Sequence, residues 1–119
     1  MIRKLLIPVI IDEVAPRFDL ATEVMIIILS RHNDVEEERT IVLPQASAEK
    51  LCHLVLTESI NVLICGAIED EYYQFLKWKQ VVIFDSVAGK WQQAFQRYQD
   101  KTLMSGDILC ERIVEGQNV

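Results

Sequence analysis

Residues 61–84, NVLICGAIEDEYYQFLKWKQVVIF, hold a strand, a helix and a second strand in succession. Asn61 to Cys65 is a short, branched apolar run closed by Gly66, which reads as a buried strand with a turn at its end. Asp70 is placed to cap a helix in which Tyr72, Tyr73, Phe75 and Leu76 are expected to fill the inner side. Val81 to Phe84 is strand-like again, stopped by Asp85 and Ser86. A strand, helix and strand of this kind cross over right-handed between parallel strands. The class is therefore α/β.

The flanks extend the pattern. Downstream, Trp91, Ala94, Phe95 and Tyr98 recur at i, i+3, i+4 and i+7, the clearest amphipathic helix in the chain. Upstream, Pro44 closes a strand and Ser47 is an N-cap for a helix carrying Leu51, Leu54, Val55 and Glu58. Leu5 to Ile11 is apolar on consecutive positions, as a central strand covered on both faces must be, and it ends at Asp12. Glu13 to Ala21 reads as a loop, Val24 to Leu29 as the second strand, and Ser30 to Glu38, with His32, Asn33, Asp34 and three successive glutamates, as a solvated turn. Arg39 to Leu43 follows as a shorter strand, and a connection of about nine residues suits an antiparallel pair. The order predicts a mixed five-stranded sheet with helices on both faces, the second strand antiparallel to the first and the fourth beside it. One domain spans 1–104, and 105–119, which contains Cys110, two glycines and scattered charge, is expected to be a flexible C-terminal extension.

Composition narrows the function. Hydrophobic residues at 50% and charged residues at 25% belong to a packed domain and exclude a disordered chain. Twelve basic against eighteen acidic residues leave a charge of -6, a field that repels phosphate backbones and anionic membranes, so neither nucleic acid nor membrane is an expected partner. Cys52, Cys65 and Cys110 are odd in number and form no CxxC pair, which suits neither a disulfide framework nor a zinc site and fits a reducing cytoplasm. The apolar run after Arg3 and Lys4 is broken by Pro8 and ended by Asp12 and Glu13, so it is a strand and not a signal peptide. No apolar run approaches the roughly 20 residues of a membrane helix.

Three loop signatures carry a resemblance. Ile7-Pro8-Val9 opens the first strand, Val14-Ala15-Pro16-Arg17-Phe18-Asp19 leads through Ala21-Thr22 into the second, and Val62-Leu63-Ile64-Cys65-Gly66-Ala67-Ile68 forms a strand and its turn. Ala88-Gly89 then heads the last helix, which holds Ala94, Phe95 and Tyr98 and runs on to Lys101-Thr102-Leu103. In order and spacing these resemble the dinitrogenase iron-molybdenum cofactor biosynthesis family over Ile2 to about Leu103. The resemblance implies a non-enzymatic α/β domain of RNase H-like fold that carries iron-sulfur or iron-molybdenum cluster precursors, with Asp12, Arg17, Phe18, Asp19, Cys65, Gly66, Ala67 and Gly89 at the cofactor site and Cys65 as the metal ligand. The chain departs from the family pattern at Arg17, where a histidine is usual, and at Asp19, Ala67 and Glu69, where glycine is usual. A guanidinium keeps its proton and cannot stand in for imidazole as a ligand. No metal is therefore expected in protein purified in air.

A site is also arguable from the residues alone. The loops after the first, fourth and fifth strands, Asp12 to Asp19, Cys65 to Asp70 and Asp85 to Gly89, meet beyond the carboxyl ends of parallel strands, where α/β sheets bind ligands. Gly66 would admit a ligand to the backbone, the helix starts near Asp70 and Gly89 would offer amides to an anion, and Arg17 would add a charged donor. Equally, the glycines serve tight turns and Arg17 pairs with Asp12 or Asp19. Cys65, beside a helix start, is the candidate thiolate, with a small buried hydrophobe as the alternative, while Cys52 reads as core, and His32 and His53 lie far apart. Asp12, Asp19, Asp70 and Asp85 sit at the edge where RNase H-like nucleases hold metal ions, but the strand interiors lack an acid and the overall charge opposes that activity. The remaining alternative is a protein-interaction or regulatory module with an anion-binding or empty pocket. That reading is favoured if two or more of Tyr72, Tyr73, Trp78 and Trp91 lie exposed together.

Overall fold

Arg3–Ile10 forms β1, the central strand in a computed structural model that describes residues 2–109. Leu5, Leu6 and Ile7 are fully buried, so both faces of β1 are covered, as its consecutive apolar positions require. On one side β1 pairs antiparallel with β3 (Glu23–Leu29), from Arg3 opposite Leu29 to Val9 opposite Glu23, and β3 pairs antiparallel with β4 (Val35–Val42). On the other side it runs parallel to β5 (Val62–Ile64), which is parallel to β6 (Val82–Phe84). The sheet order β4-β3-β1-β5-β6 is the mixed five-stranded arrangement expected. A short β2 (Glu13–Val14) folds back on the end of β1.

Period-two alternation divides the core. Leu6, Val24, Ile26 and Leu63 face α1 (Ala48–Thr57) and α2 (Asp70–Trp78), whereas Leu5, Ile7, Ile27 and Ile64 face α3 (Trp91–Gln99). Ser47 caps α1 by accepting a hydrogen bond from the Lys50 amide at 3.2 Å. On α3, Ala94 is fully buried and Phe95 8% exposed, so the aromatic stripe does dock. Phe95→Ala should lower stability by about 3 kcal/mol in urea denaturation, and an unchanged midpoint would mean that the helix packs through another face. No helix among the described residues is long and apolar enough to cross a membrane.

Three expectations are corrected. β4 is eight residues long and includes Glu36, Glu37 and Glu38, so the turn before it shrinks to Ser30–Asp34. An edge strand has no partner on one side, and charge there hinders pairing with another chain; the glutamates belong to the strand because it lies at the edge. In α2 only Leu76 is buried, Tyr72 and Tyr73 are partly covered, and Asp70 is not the cap, since Glu69 precedes the helix. A helix resting on two three-residue strands needs one apolar stripe and no more. Finally, Ile108–Leu109 (β8), assigned to a flexible extension, pairs parallel with Ala88–Gly89 (β7), and Leu109 is buried. Gly89 has φ +122 and packs where a Cβ would strike Leu109, which is why that position is glycine. Cys110 lies outside the described residues.

Candidate functional site

The strand-end loops do converge, but onto one another. The Phe18 amide donates to the Ala67 carbonyl at 2.8 Å, and the Ala67 amide donates to the Pro16 carbonyl at the same distance. The amides of Ser86 and Val87 donate to the carbonyls of Gly66 and Cys65 at 2.9 and 3.0 Å. At the head of α3 the Trp91 amide donates to the Asp12 carbonyl at 3.2 Å, while the Asp12 carboxylate accepts from Gln92 at 2.8 Å and lies 3.7 Å from the Lys90 ammonium. The amides of Phe18, Ala67, Ser86, Val87 and Trp91 are thus already bonded within the chain and do not face an anion. Gly89 does not head the helix, since Lys90 intervenes.

Each proposed ligand contact has a local explanation. A Cβ on Gly66 would overlap the carbonyl oxygens of Ala15 and Pro16, so the close approach that this glycine permits is to the chain's own backbone. Arg17 forms a two-pronged pair with Asp19, Nε to Oδ1 at 3.1 Å and Nη2 to Oδ2 at 2.7 Å. Phe18 is 1% exposed and lies 6.5 Å, ring to ring, from Tyr72. Cys65 is fully buried, and burial, with the nearby Asp85 charge, pushes its thiol up and not down. It is a core hydrophobe and cannot present a thiolate ligand to a cluster at the surface. No group of three or more His, Cys, Asp or Glu side chains among the described residues is placed to hold a metal ion. The residues at the strand ends therefore do not fit a protein-ligated cluster.

A different concavity opens beside them, between α1 and α2. It has a volume near 450 Å³ and is lined by Glu49, Cys52, His53 and Leu56 from α1 and by Glu71, Tyr72 and Phe75 from α2. Cys52 is buried in its floor, where burial and the Glu49 charge push its thiol up to about 11. Tyr72 is likewise raised, by burial first and then by Glu71, Glu49 and Glu69. The groove wall is thus apolar and ringed with carboxylates. Phe75 is 39% and Trp78 74% exposed, and the Lys79 ammonium lies 5.8 and 4.7 Å from their rings. Two aromatic residues are exposed together on α2, although of the four that the sequence singles out only Trp78 is among them; Trp91 packs partly against the core. The signal for the groove was present on α1, where Glu49, Cys52, His53 and Leu56 recur at i, i+3, i+4 and i+7 beside the core stripe of Leu51 and Val55.

No family model and no curated protein matches the sequence. Solved structures do. A protein named PH0822 superposes with a TM-score of 0.77 at 12% identity, covering 86% of this chain and 93% of its own. A putative dinitrogenase from Methanocaldococcus jannaschii gives 0.68 at 18% identity, covering 87% and 93%. The apo orange protein of Desulfovibrio gigas gives 0.68 at 16% identity, covering 87% and 92%. This chain shares their fold. The likeness is distant in sequence, and it agrees in architecture with the family whose loop signatures the chain resembles.

Proposed function

We propose that the chain is a non-enzymatic interaction domain, built on the fold of the putative dinitrogenase and orange protein structures, whose working surface is the α1/α2 groove. One observation carries the reading: Phe75 lines an apolar groove ringed by Glu49 and Glu71 and is exposed together with Trp78, three residues on along the same helix. Exposed aromatic anchors are the residues that dominate protein-protein affinity, and a carboxylate rim selects a partner of opposite charge. The occupant is an apolar segment flanked by lysine or arginine on a partner protein, presented as an amphipathic helix or an extended strip.

The test is a titration of the full chain with two synthetic helical peptides, one of leucine and lysine and one of leucine and glutamate, followed by tryptophan fluorescence. The lysine peptide should bind and shift the emission to shorter wavelength, and Phe75→Ala with Glu71→Gln should weaken it about tenfold, or about 1.4 kcal/mol. Equal binding of both peptides, or binding of neither, would overturn the reading. A second reading, carriage of an iron-sulfur or iron-molybdenum type cluster, is supported by the shared fold. Anaerobic reconstitution followed by metal analysis separates the two: stoichiometric metal that stays bound through desalting favours the carrier.

A further inference from the structure

The opposite end of the sheet holds a charge that has no acidic partner among the described residues. Arg3 begins β1 and is half-buried, and its guanidinium is held by neutral groups: Nη1 donates to the Tyr98 hydroxyl and Nη2 to Asn33 Oδ1, both at 2.8 Å. Its Cζ lies 5.4 Å from the centre of the Tyr98 ring. Asn33 is fixed in turn, donating to the Gln99 carbonyl at 2.9 Å and accepting from the Gln99 side chain at 3.0 Å through its own carbonyl. No carboxylate among the described residues lies within salt-bridge distance of Arg3 or of Lys101. Arg31, Lys50, Lys77, Lys79 and Arg97 also lack such a partner but are exposed; of the pair Arg3 and Lys101, Arg3 is half-buried and so differs from them all.

Arg3 and Lys101 line one cleft of about 310 Å³ together with Phe84, Tyr98 and Leu103. Phe84 and Tyr98 meet edge to face at 5.9 Å and form its aromatic wall. A partly desolvated cation is costly without an anion, and a guanidinium held in place by neutral partners keeps further N–H donors for one. The volume sits at the small end of ligand pockets, enough for a single ring and its acidic group.

We propose that this cleft binds a small organic carboxylate with a flat ring, the carboxylate between Arg3 and Lys101 and the ring against Phe84 and Tyr98. The inference is independent of the α1/α2 groove, since the two clefts share no residue. The test uses the full chain titrated with benzoate, with neutral benzamide and with inorganic phosphate, each followed by shifts of backbone amide resonances. Benzoate should perturb the amides around Arg3, Phe84 and Tyr98, and benzamide and phosphate should bind at least tenfold more weakly. Arg3→Gln should lower benzoate affinity tenfold or more and Lys101→Gln severalfold, and added salt should weaken binding. If Arg3→Gln does not fold, the exposed Lys101→Gln alone decides. Benzoate and benzamide binding alike, phosphate binding as well as benzoate, or no loss in Lys101→Gln would overturn the proposal and leave Arg3 as a structural clamp.

Discussion

Phe18→Ala will lower the folding stability by about 4 kcal/mol, measured by chemical denaturation at neutral pH. Phe18 sits in the short 3-10 turn Phe18–Leu20, is 1% exposed, and belongs to the core cluster formed by Leu6, Val24, Leu51 and Leu76. Removing a buried ring loses its transfer energy and leaves a cavity, because neighbours in a close-packed core relax only in part. Its surroundings here are the backs of α1 and α2 and two strands, none of which can move inward alone. The loss should also loosen Tyr72, which the ring contacts at 6.5 Å, and so reach the α1/α2 groove. A stability change under about 1 kcal/mol would mean that the turn is a surface loop and that the site reading of Phe18 has to be reopened.

How much of this was legible in the sequence depends on what kind of force acts at each place. β1, β3 and β5 are buried on both faces, so their apolar runs name them outright. α3 is named by its stripe, since one helical face packs and the other does not. β4 was half hidden, because at a sheet edge three glutamates look the same in a strand as in a turn. β7 and β8 were invisible: two residues each carry no period, and their pairing rests on the φ of one glycine.

The candidate site was misread for a related reason. Convergence of the three loops follows from topology, and topology was legible. That they satisfy one another is a matter of backbone amides and carbonyls, which every residue possesses and no sequence pattern marks. Cys65 shows the same limit, since a cysteine ending a strand beside a glycine is compatible with an activated thiolate or a buried one. Only the depth of the position separates them, and here it is fully buried. The α1/α2 groove was missed because Cys52 reads as core when taken alone, without Glu49, His53 and Leu56 on the same helical face.

Gly66→Ala should be the most damaging single-methyl change in the loop region, about 4 kcal/mol or more, although Gly66 has no positive φ and a Cβ is not forbidden there by backbone conformation. The cause is space. A Cβ would overlap two carbonyl oxygens, those of Ala15 and Pro16, and neither is the end of a flexible side chain that could swing away. Overpacking of this kind costs roughly 1–3 kcal/mol by itself. To relieve it the 15–18 segment must lift, which breaks the Ala67 to Pro16 and Phe18 to Ala67 hydrogen bonds at about 1 kcal/mol each. Lifting would also draw Phe18 out of the core, so this change and Phe18→Ala are coupled and their effects should sum to more than the double variant shows. Amide exchange offers the sharpest reading: Ala67 and Phe18 should lose protection in Gly66→Ala while Ile26 and Leu5 retain theirs relative to global stability. If instead Gly66→Ala were neutral, the loops would be free to part, and the strand ends would regain the open amides that an anion or cluster needs.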